Sequence, residues 1–251
     1  TQRFFVKGRC GKILKTTALL TGRGNNSLKD KNILKVLGKS LLYYPAHAAR
    51  MAKSIDSWYC SSDDNKILEA AQEEGYTPIM RPPEYALPNA QHIDCILHAL
   101  QFMKQNDDLP DILVVLLANN VSVKSQWIDD CVRIKKEHAE TTAVVPVYED
   151  NDHHPLRAKT INNDGFLELY EKDVPETIST NRQDLPRCYF LSHNFWVLDV
   201  PYLLSGKHGQ QPWYFMGDKI FPYLIDESVD VHQKVDLLVA EEWVRKYYDD
   251  K

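Results

Sequence analysis

The chain has 251 residues, of which 43% are hydrophobic and 26% charged, a composition that can bury a core and excludes a disordered chain. Thirty lysines and arginines stand against 35 acidic residues, and the formal charge of −5 argues against non-specific binding to nucleic acid or an anionic membrane surface. The longest wholly apolar run, Ile112–Ala118, falls far short of the roughly 20 residues that a membrane span takes.

In chain order, a strand is predicted at Thr17–Leu20, running into the polar, glycine-bearing loop Thr21-Gly22-Arg23-Gly24-Asn25-Asn26-Ser27 and then the basic stretch Lys29-Asp30-Lys31-Asn32. Pro45 sits near the start of a helical pattern, where proline is tolerated. Ile55–Ser61 reads as a strand, Ser62-Asp63-Asp64-Asn65 as a capping cluster before a helix, and Gly75 as its stop ahead of a short strand at Tyr76–Met80. After the stiff Arg81-Pro82-Pro83, the spacing of Ile93, Ile96, Leu97 and Leu100 predicts an amphipathic helix. The continuous run Ile112–Leu117 suits a central strand covered on both faces. Trp127, Ile128, Cys131 and Val132 mark another helix, and Ala143–Tyr148 another strand. Asn162-Asn163-Asp164-Gly165 joins two short strands as a hairpin, Tyr189–Leu198 is strand-like, and a helix closes the chain over Lys234–Tyr248. Strands alternating with helices predict an α/β fold with a mainly parallel, Rossmann-like sheet and helices on both faces. The alternation breaks over 150–207, which reads as an inserted β-arm. The five cysteines (Cys10, Cys60, Cys95, Cys131, Cys188) form no CxxC pair, so buried thiols are expected and not a disulfide or zinc framework. With no export signal visible at Thr1–Phe5, a cytoplasmic location is expected.

In an open α/β sheet, ligands gather beyond the carboxyl ends of the strands. The loop after Leu20 holds Arg23, Gly24, Lys29 and Lys31, cations and backbone N–H groups that can cradle a triphosphate. It is neither a Walker A loop nor a Rossmann glycine fingerprint, and on pattern alone a solvated turn is an equal reading. The order of several segments adds to this. Leu20-Thr21-Gly22-Arg23-Gly24 with Lys31-Asn32, then Ser61-Ser62-Asp63-Asp64, Arg81-Pro82-Pro83-Glu84-Tyr85-Ala86, His153-His154-Pro155, Asn181-Arg182-Gln183-Asp184-Leu185-Pro186 and Ser228-Val229-Asp230-Val231 resemble, in that order, the motifs of the CMP-sugar synthetases, the acylneuraminate and 3-deoxy-octulosonate cytidylyltransferases.

The resemblance implies a single nucleotidyltransferase domain over residues 16–251, with residues 1–15 an extension and 150–207 a dimerisation and substrate arm. It implies transfer of CMP from CTP to an acidic sugar of the 3-deoxy-2-keto type with release of pyrophosphate, Mg²⁺ as cofactor and a homodimer as the working unit. It further implies Lys31 and Arg23 as phosphate cations and Asp230 as the Mg²⁺ ligand. Leu20, Gly22, Gly24, Asn32 and Arg81 would lie along the nucleotide. His153, His154, Arg157, Arg182, Gln183 and His193 would lie towards the acceptor.

Four departures stand out. The loop from Arg23 to Asn32 is one residue shorter than the usual version. Ala118 replaces the family's glutamine, with Asn119 or Asn120 as candidate substitutes. His232 replaces the second carboxylate of the late acidic pair, leaving Asp218, Asp226 and Glu227 as compensating candidates beside a doubtful His232 ligand. His193 falls in a segment where sialate enzymes often carry a cation, which Arg157, Lys159 or Arg187 could supply. Two other readings stay open: a nucleotidyltransferase with another nucleotide or a non-sugar acid acceptor such as a phosphonate, and a nucleotide-binding homologue without catalysis.

Overall fold

A computed structural model of the chain describes residues 14–24 and 28–248. Cys10, most of the expected N-terminal extension, and the Asn25-Asn26-Ser27 turn lie outside the described residues. In chain order the elements are β1 (Thr16–Thr21), β2 (Lys35–Val36), β3 (Lys39–Ser40), α1 (Tyr43–Met51), β4 (Ser57–Ser62), α2 (Asn65–Glu73), β5 (Thr77–Met80), α3 (His92–Gln105), β6 (Ile112–Leu117), α4 (Ser125–Glu137), β7 (Ala143–Glu149), β8 (Lys159–Ile161), β9 (Leu167–Leu169), β10 (Tyr189–Leu191), β11 (Phe195–Asp199), α5 (Val200–Leu204), β12 (Ile220–Leu224) and α6 (Asp236–Tyr248).

Eight strands form one mixed sheet. Its first half, β5-β4-β1-β6, is parallel throughout. β11 then lies antiparallel between β6 and β7. One edge of β7 is shared end to end by β11, opposite Ala143 and Val144, and β10, opposite Val147 to Glu149; parallel β12 covers the other edge. The period-two alternation of the strands builds two cores. Ala18, Leu20, Val114 and Leu116 face the layer of α1, α2 and α4, whereas Leu19, Leu113 and Val115 face α3 and α5. A third cluster seats Trp243 and Val244 of α6 on Val36, Leu41 and Tyr44. No helix among the described residues is long and apolar enough to cross a membrane.

The expected arm is corrected at its carboxyl side. Residues Tyr189–Asp199 are strands of the central sheet, because Phe195, Trp196, Val197 and Leu198 are fully apolar and two-sided, and are at most 1% exposed. What stands apart from that sheet is the two-stranded β8–β9 hairpin. Its turn is closed by Asn162 Oδ1, which accepts from Asp164 N at 3.1 Å and Phe166 N at 2.9 Å, and by Gly165 at φ +85°. The described cysteines are free, and Cys60, Cys95 and Cys131 are buried as expected.

The capping cluster works residue by residue. Asp64 is the N-cap of α2 and accepts from Lys66 N at 2.8 Å. An Asp64→Ala variant is expected to lose about 1 kcal/mol of stability, read as a lower urea midpoint at unchanged slope; an unchanged midpoint would leave the cap without energetic weight.

Candidate active site

The carboxyl ends of β1, β5 and β6 open into a cavity of about 570 Å³. The loop after β1 forms one wall, and its first residue, Gly22, is closely packed. A Cβ on Gly22 would lie 3.1 Å from both Ala118 Cβ and Asn32 Nδ2. That close approach lets Asn32 Nδ2 donate to Arg23 O at 3.0 Å and tie the loop back on itself. Gly24 N donates to Asp63 Oδ1 at 3.0 Å, and Arg23 Nη1 reaches Leu87 O on the opposite lip at 3.3 Å. Lys31 sits in a single 3-10 turn that follows Asp30 in the left-handed region, φ 54°. The residue is only 8% exposed. Burial lowers its pKa, with Arg23 acting in the same sense and Asp230 and Asp236 opposing.

Asp230 faces Lys31 from the late part of the chain. Its segment is stapled across the turn after β6: Asn120 and Asp230 form an antiparallel bridge, Val231 N donates to Asn119 O at 3.0 Å, and Val229 N donates to Ser122 Oγ at 2.8 Å. The Asn119 side-chain amide donates to Asp230 Oδ1, and His232 Nε2 lies 3.0 Å from Oδ2. Burial raises the Asp230 pKa, against the pull of His232, Lys31 and His193. Asp236, at the start of α6, accepts from the backbone N–H groups of His232 and Gln233 at 2.7 and 2.8 Å and holds this corner.

On the other side stands Arg81, 5% exposed, whose Nη2 donates to Ser61 O at 2.8 Å and Nε to Ser61 Oγ at 3.2 Å. The Ser61–Asp64 segment thus holds Arg81, the glycine loop and the cap of α2 in one run. Next to Arg81, the loop before α3 and its first turn contribute Tyr85, Gln91, His92 and Cys95. The His92 pKa is pushed down to about 3, first by burial and then by Arg81 and His193. His193 sits in the break between β10 and β11, its ring 5.1 Å from that of Trp213 and 6.0 Å from that of Trp196, and burial lowers its pKa too.

Of the residues expected from sequence, Gly22, Arg23, Lys31, Asn32, Arg81, Asn119, His193, Asp230 and His232 line this one cavity. The others do not. Leu20 and Ala118 are at most 1% exposed and belong to the core on the α1, α2 and α4 face. Gly24 is packed against Asp64, whose Oδ2 lies 2.7 Å from where its Cβ would be. On the arm, His153 pairs with Asp150 at 2.7 Å and His154 Nδ1 accepts from Leu156 N at 3.1 Å to cap a turn. Arg182 pairs with Asp152 at 2.6 Å, Arg157 with the same carboxylate at 3.7 Å, and Gln183 is exposed. None of these arm residues lines the cavity of a single chain. Asp218, Asp226 and Glu227 do not line it either; Glu227 is engaged with Lys246 at 3.1 Å. Thr21, Tyr85, Gln91, His92 and Cys95 are site residues that the motif reading missed. The signal for His92 was its place, at the first turn of a helix on the carboxyl side of the sheet.

Among the described residues no group of three or more His, Cys, Asp or Glu side chains is placed to hold a metal ion. Asp230 offers one hard carboxylate, and His232 stands where a second would be. That donor set suits Mg²⁺ only as an ion shared with substrate phosphates, which is how Mg²⁺ is commonly held.

A parallel half-sheet with a glycine turn, a buried lysine and a carboxylate on one cavity beyond its strand ends is the place where α/β proteins of this build take their ligands. The family model described as Cytidylyltransferase matches residues 23–186, well over half the chain, and the chain belongs to that family. Among curated proteins it is similar to the N-acylneuraminate cytidylyltransferase of Escherichia coli O18:K1:H7 (strain RS218 / NMEC), 22% identical over 229 residues, which are 90% of this chain and 51% of that protein. It is similar to the 8-amino-3,8-dideoxy-manno-octulosonate cytidylyltransferase of Shewanella frigidimarina (strain NCIMB 400), 25% identical over 50% of this chain and 49% of that one. It is also similar to the N-acylneuraminate cytidylyltransferase of Streptococcus agalactiae serotype V, 24% identical over 66% of this chain and 39% of that protein. The chain therefore spans about half or less of the length of these relatives.

Two solved structures share the fold. A CMP:2-keto-3-deoxy-manno-octonic acid synthetase complexed with CTP has a TM-score of 0.64 at 16% identity, covering 91% of this chain and 99% of that one. The 4-diphosphocytidyl-2C-methyl-D-erythritol synthase of Anaerococcus prevotii DSM 20548 has a TM-score of 0.60 at 13% identity, covering 92% and 96%.

Proposed function

We propose that the protein transfers CMP from CTP to the hydroxyl of an acidic sugar of the 3-deoxy-2-keto type, releasing pyrophosphate. The observation that carries the reading is that buried Lys31 and Asp230, each within the other's electrostatic reach, line one cavity beside the Gly22–Arg23 turn, in a chain of the cytidylyltransferase family. The names of the relatives support the acceptor class.

In this reading the acceptor oxygen attacks the α-phosphorus. The new O–P bond forms as the bond to pyrophosphate breaks, and the hydroxyl proton leaves to solvent or the departing phosphate. The chain's task is positioning and charge neutralisation. Lys31 and Arg23 hold the phosphates in line, and low solvent access raises the weight of the lysine charge. Asn32 keeps the loop closed through its bond to Arg23 O. Asn119 and His232 orient Asp230. Asp230 is the residue that would hold Mg²⁺, whose chemistry is to offset the negative charge of the triphosphate. The arm residues enter only across a homodimer. The exposed apolar side chains of the hairpin, Ile161, Phe166, Leu167 and Tyr170, support that assembly.

The test is pyrophosphate release from CTP with Mg²⁺ and a panel of 3-deoxy-2-keto sugar acids. Release with one of them at a rate above the acceptor-free background is expected. CTP binding with no release on any acceptor would favour the non-catalytic reading, which the replacement of a second carboxylate by His232 keeps in play. Release with a phosphonate alone would favour the non-sugar acceptor.

A further inference from the structure

We propose that His92 reads the base of the bound nucleotide by accepting a hydrogen bond from its exocyclic amino group, and that Thr21 fixes the imidazole tautomer that does so. The inference rests on the nucleotidyl-transfer reading above. The hydrogen bonds leave one assignment. Thr21 has a single hydroxyl proton, and its Oγ1 lies 3.1 Å from Leu116 O, a carbonyl that can only accept. The same oxygen lies 3.0 Å from His92 Nε2. The Thr21 proton is committed to Leu116, so Nε2 carries the imidazole proton and donates to Thr21. Nδ1 keeps its lone pair. A pKa depressed to about 3 keeps the ring neutral near pH 7, so Nδ1 accepts and does not donate.

The ring is also held in place. His92 is the first residue of α3, and its ring packs on Trp196 at 5.1 Å between centroids. The charges around the cavity gather towards two poles, bridged by His193, which also feels Asp230. Lys31 answers to Asp230, Arg23 and Asp236, whereas His92 answers to Arg81 and His193. The first pole suits phosphates. The second, walled by Tyr85, Gln91 and Cys95 beside His92, suits a flat, uncharged base. A 4-amino group donates to Nδ1, whereas a 4-oxo oxygen would meet it lone pair to lone pair.

CTP and UTP differ at that edge. Their dissociation constants, measured by titration calorimetry on the full chain and its variants, test the idea. The wild type is expected to prefer CTP by roughly ten- to a hundredfold, the range set by leaving one buried polar group unmatched. Thr21→Val frees the imidazole to carry its proton on Nδ1, and the preference should fall at least about fivefold, through a gain in UTP affinity. Thr21→Ser keeps the hydroxyl and should keep the preference. His92→Phe should bring the ratio close to one, with the loss on CTP. A purely structural role would weaken both nucleotides together and leave their ratio unchanged; that result in folded Thr21→Val and His92→Phe proteins overturns the proposal. A wild type that binds CTP and UTP equally overturns it while leaving the transferase reading intact. A wild type that binds neither overturns the transferase reading as well.

Discussion

Replacing Lys31 by methionine is expected to lower kcat/KM for CTP by about three orders of magnitude, the upper range for removing one preorganised charge from a reacting centre. The residue is 8% exposed and its ammonium is held below its ordinary pKa by burial, so solvent screens it less than a surface charge. Methionine has similar reach and no charge. The variant should therefore fold: a desolvated cation is gone, and Asp230 keeps Asn119 and His232 as partners. The melting midpoint without nucleotide should stay within a few degrees of the wild type, and the rise on adding CTP should vanish. Turnover within tenfold of the wild type would place the phosphates elsewhere and remove the main support for the mechanism.

The second large effect is on stability. Trp196→Ala is expected to cost about 3–5 kcal/mol, the usual penalty for deleting a large buried ring. Trp196 is 1% exposed in the strand inserted between β6 and β7, pairs across from Val115, and donates from Nε1 to Ser192 O at 3.2 Å. Its ring also meets those of Phe215, His92 and His193. The loss should therefore reach the site, with weaker CTP binding even where the variant is folded. Urea unfolding measures the first effect and calorimetry the second. A cost under 1 kcal/mol would mean that neighbouring side chains refill the space and that the two imidazoles do not lean on this ring.

Legibility followed local signal. The apolar run of β6, the i, i+3, i+4, i+7 stripe of α3 and the Asn162–Gly165 turn each carry their own period or turn chemistry, and all three stand where they were expected. Lys31, Asn32, Arg81 and Asp230 were legible because ordered motifs surround them, and the cavity brings them together. The placement of β11 was not. Its residues read as a strand, but nothing local tells a strand which neighbours it takes, and only long-range pairing puts it between β6 and β7. β12 carries Pro222 at its centre, a signal against a strand that holds only for interior positions; at an edge the missing N–H costs nothing. His92 and Thr21 escaped because their meaning is a three-atom hydrogen-bond chain to Leu116 across two strands, invisible in spacing. The arm residues Arg157 and Arg182 look like ligand cations in sequence; within one chain both lie outside the cavity and face the exposed carboxylate of Asp152.

The pairing of β7 bears on how the chain is made. Every strand bonded to β7, namely β10, β11 and β12, comes after it in the sequence, and β6 gains its second neighbour only when β11 is in place. As the chain leaves the ribosome, the four-stranded parallel half can form by Leu117, but its β6 edge stays open for nearly 80 residues of further synthesis (Phe195 less Leu117, 195 − 117 = 78). A strand edge left open for that long invites pairing with another nascent chain. Products cut short within the arm should therefore collect in inclusion bodies, whereas those reaching past β12 should not. The corner of the cavity that holds Asp230 is assembled last, since Asp230 follows β12, the last strand of the sheet in sequence.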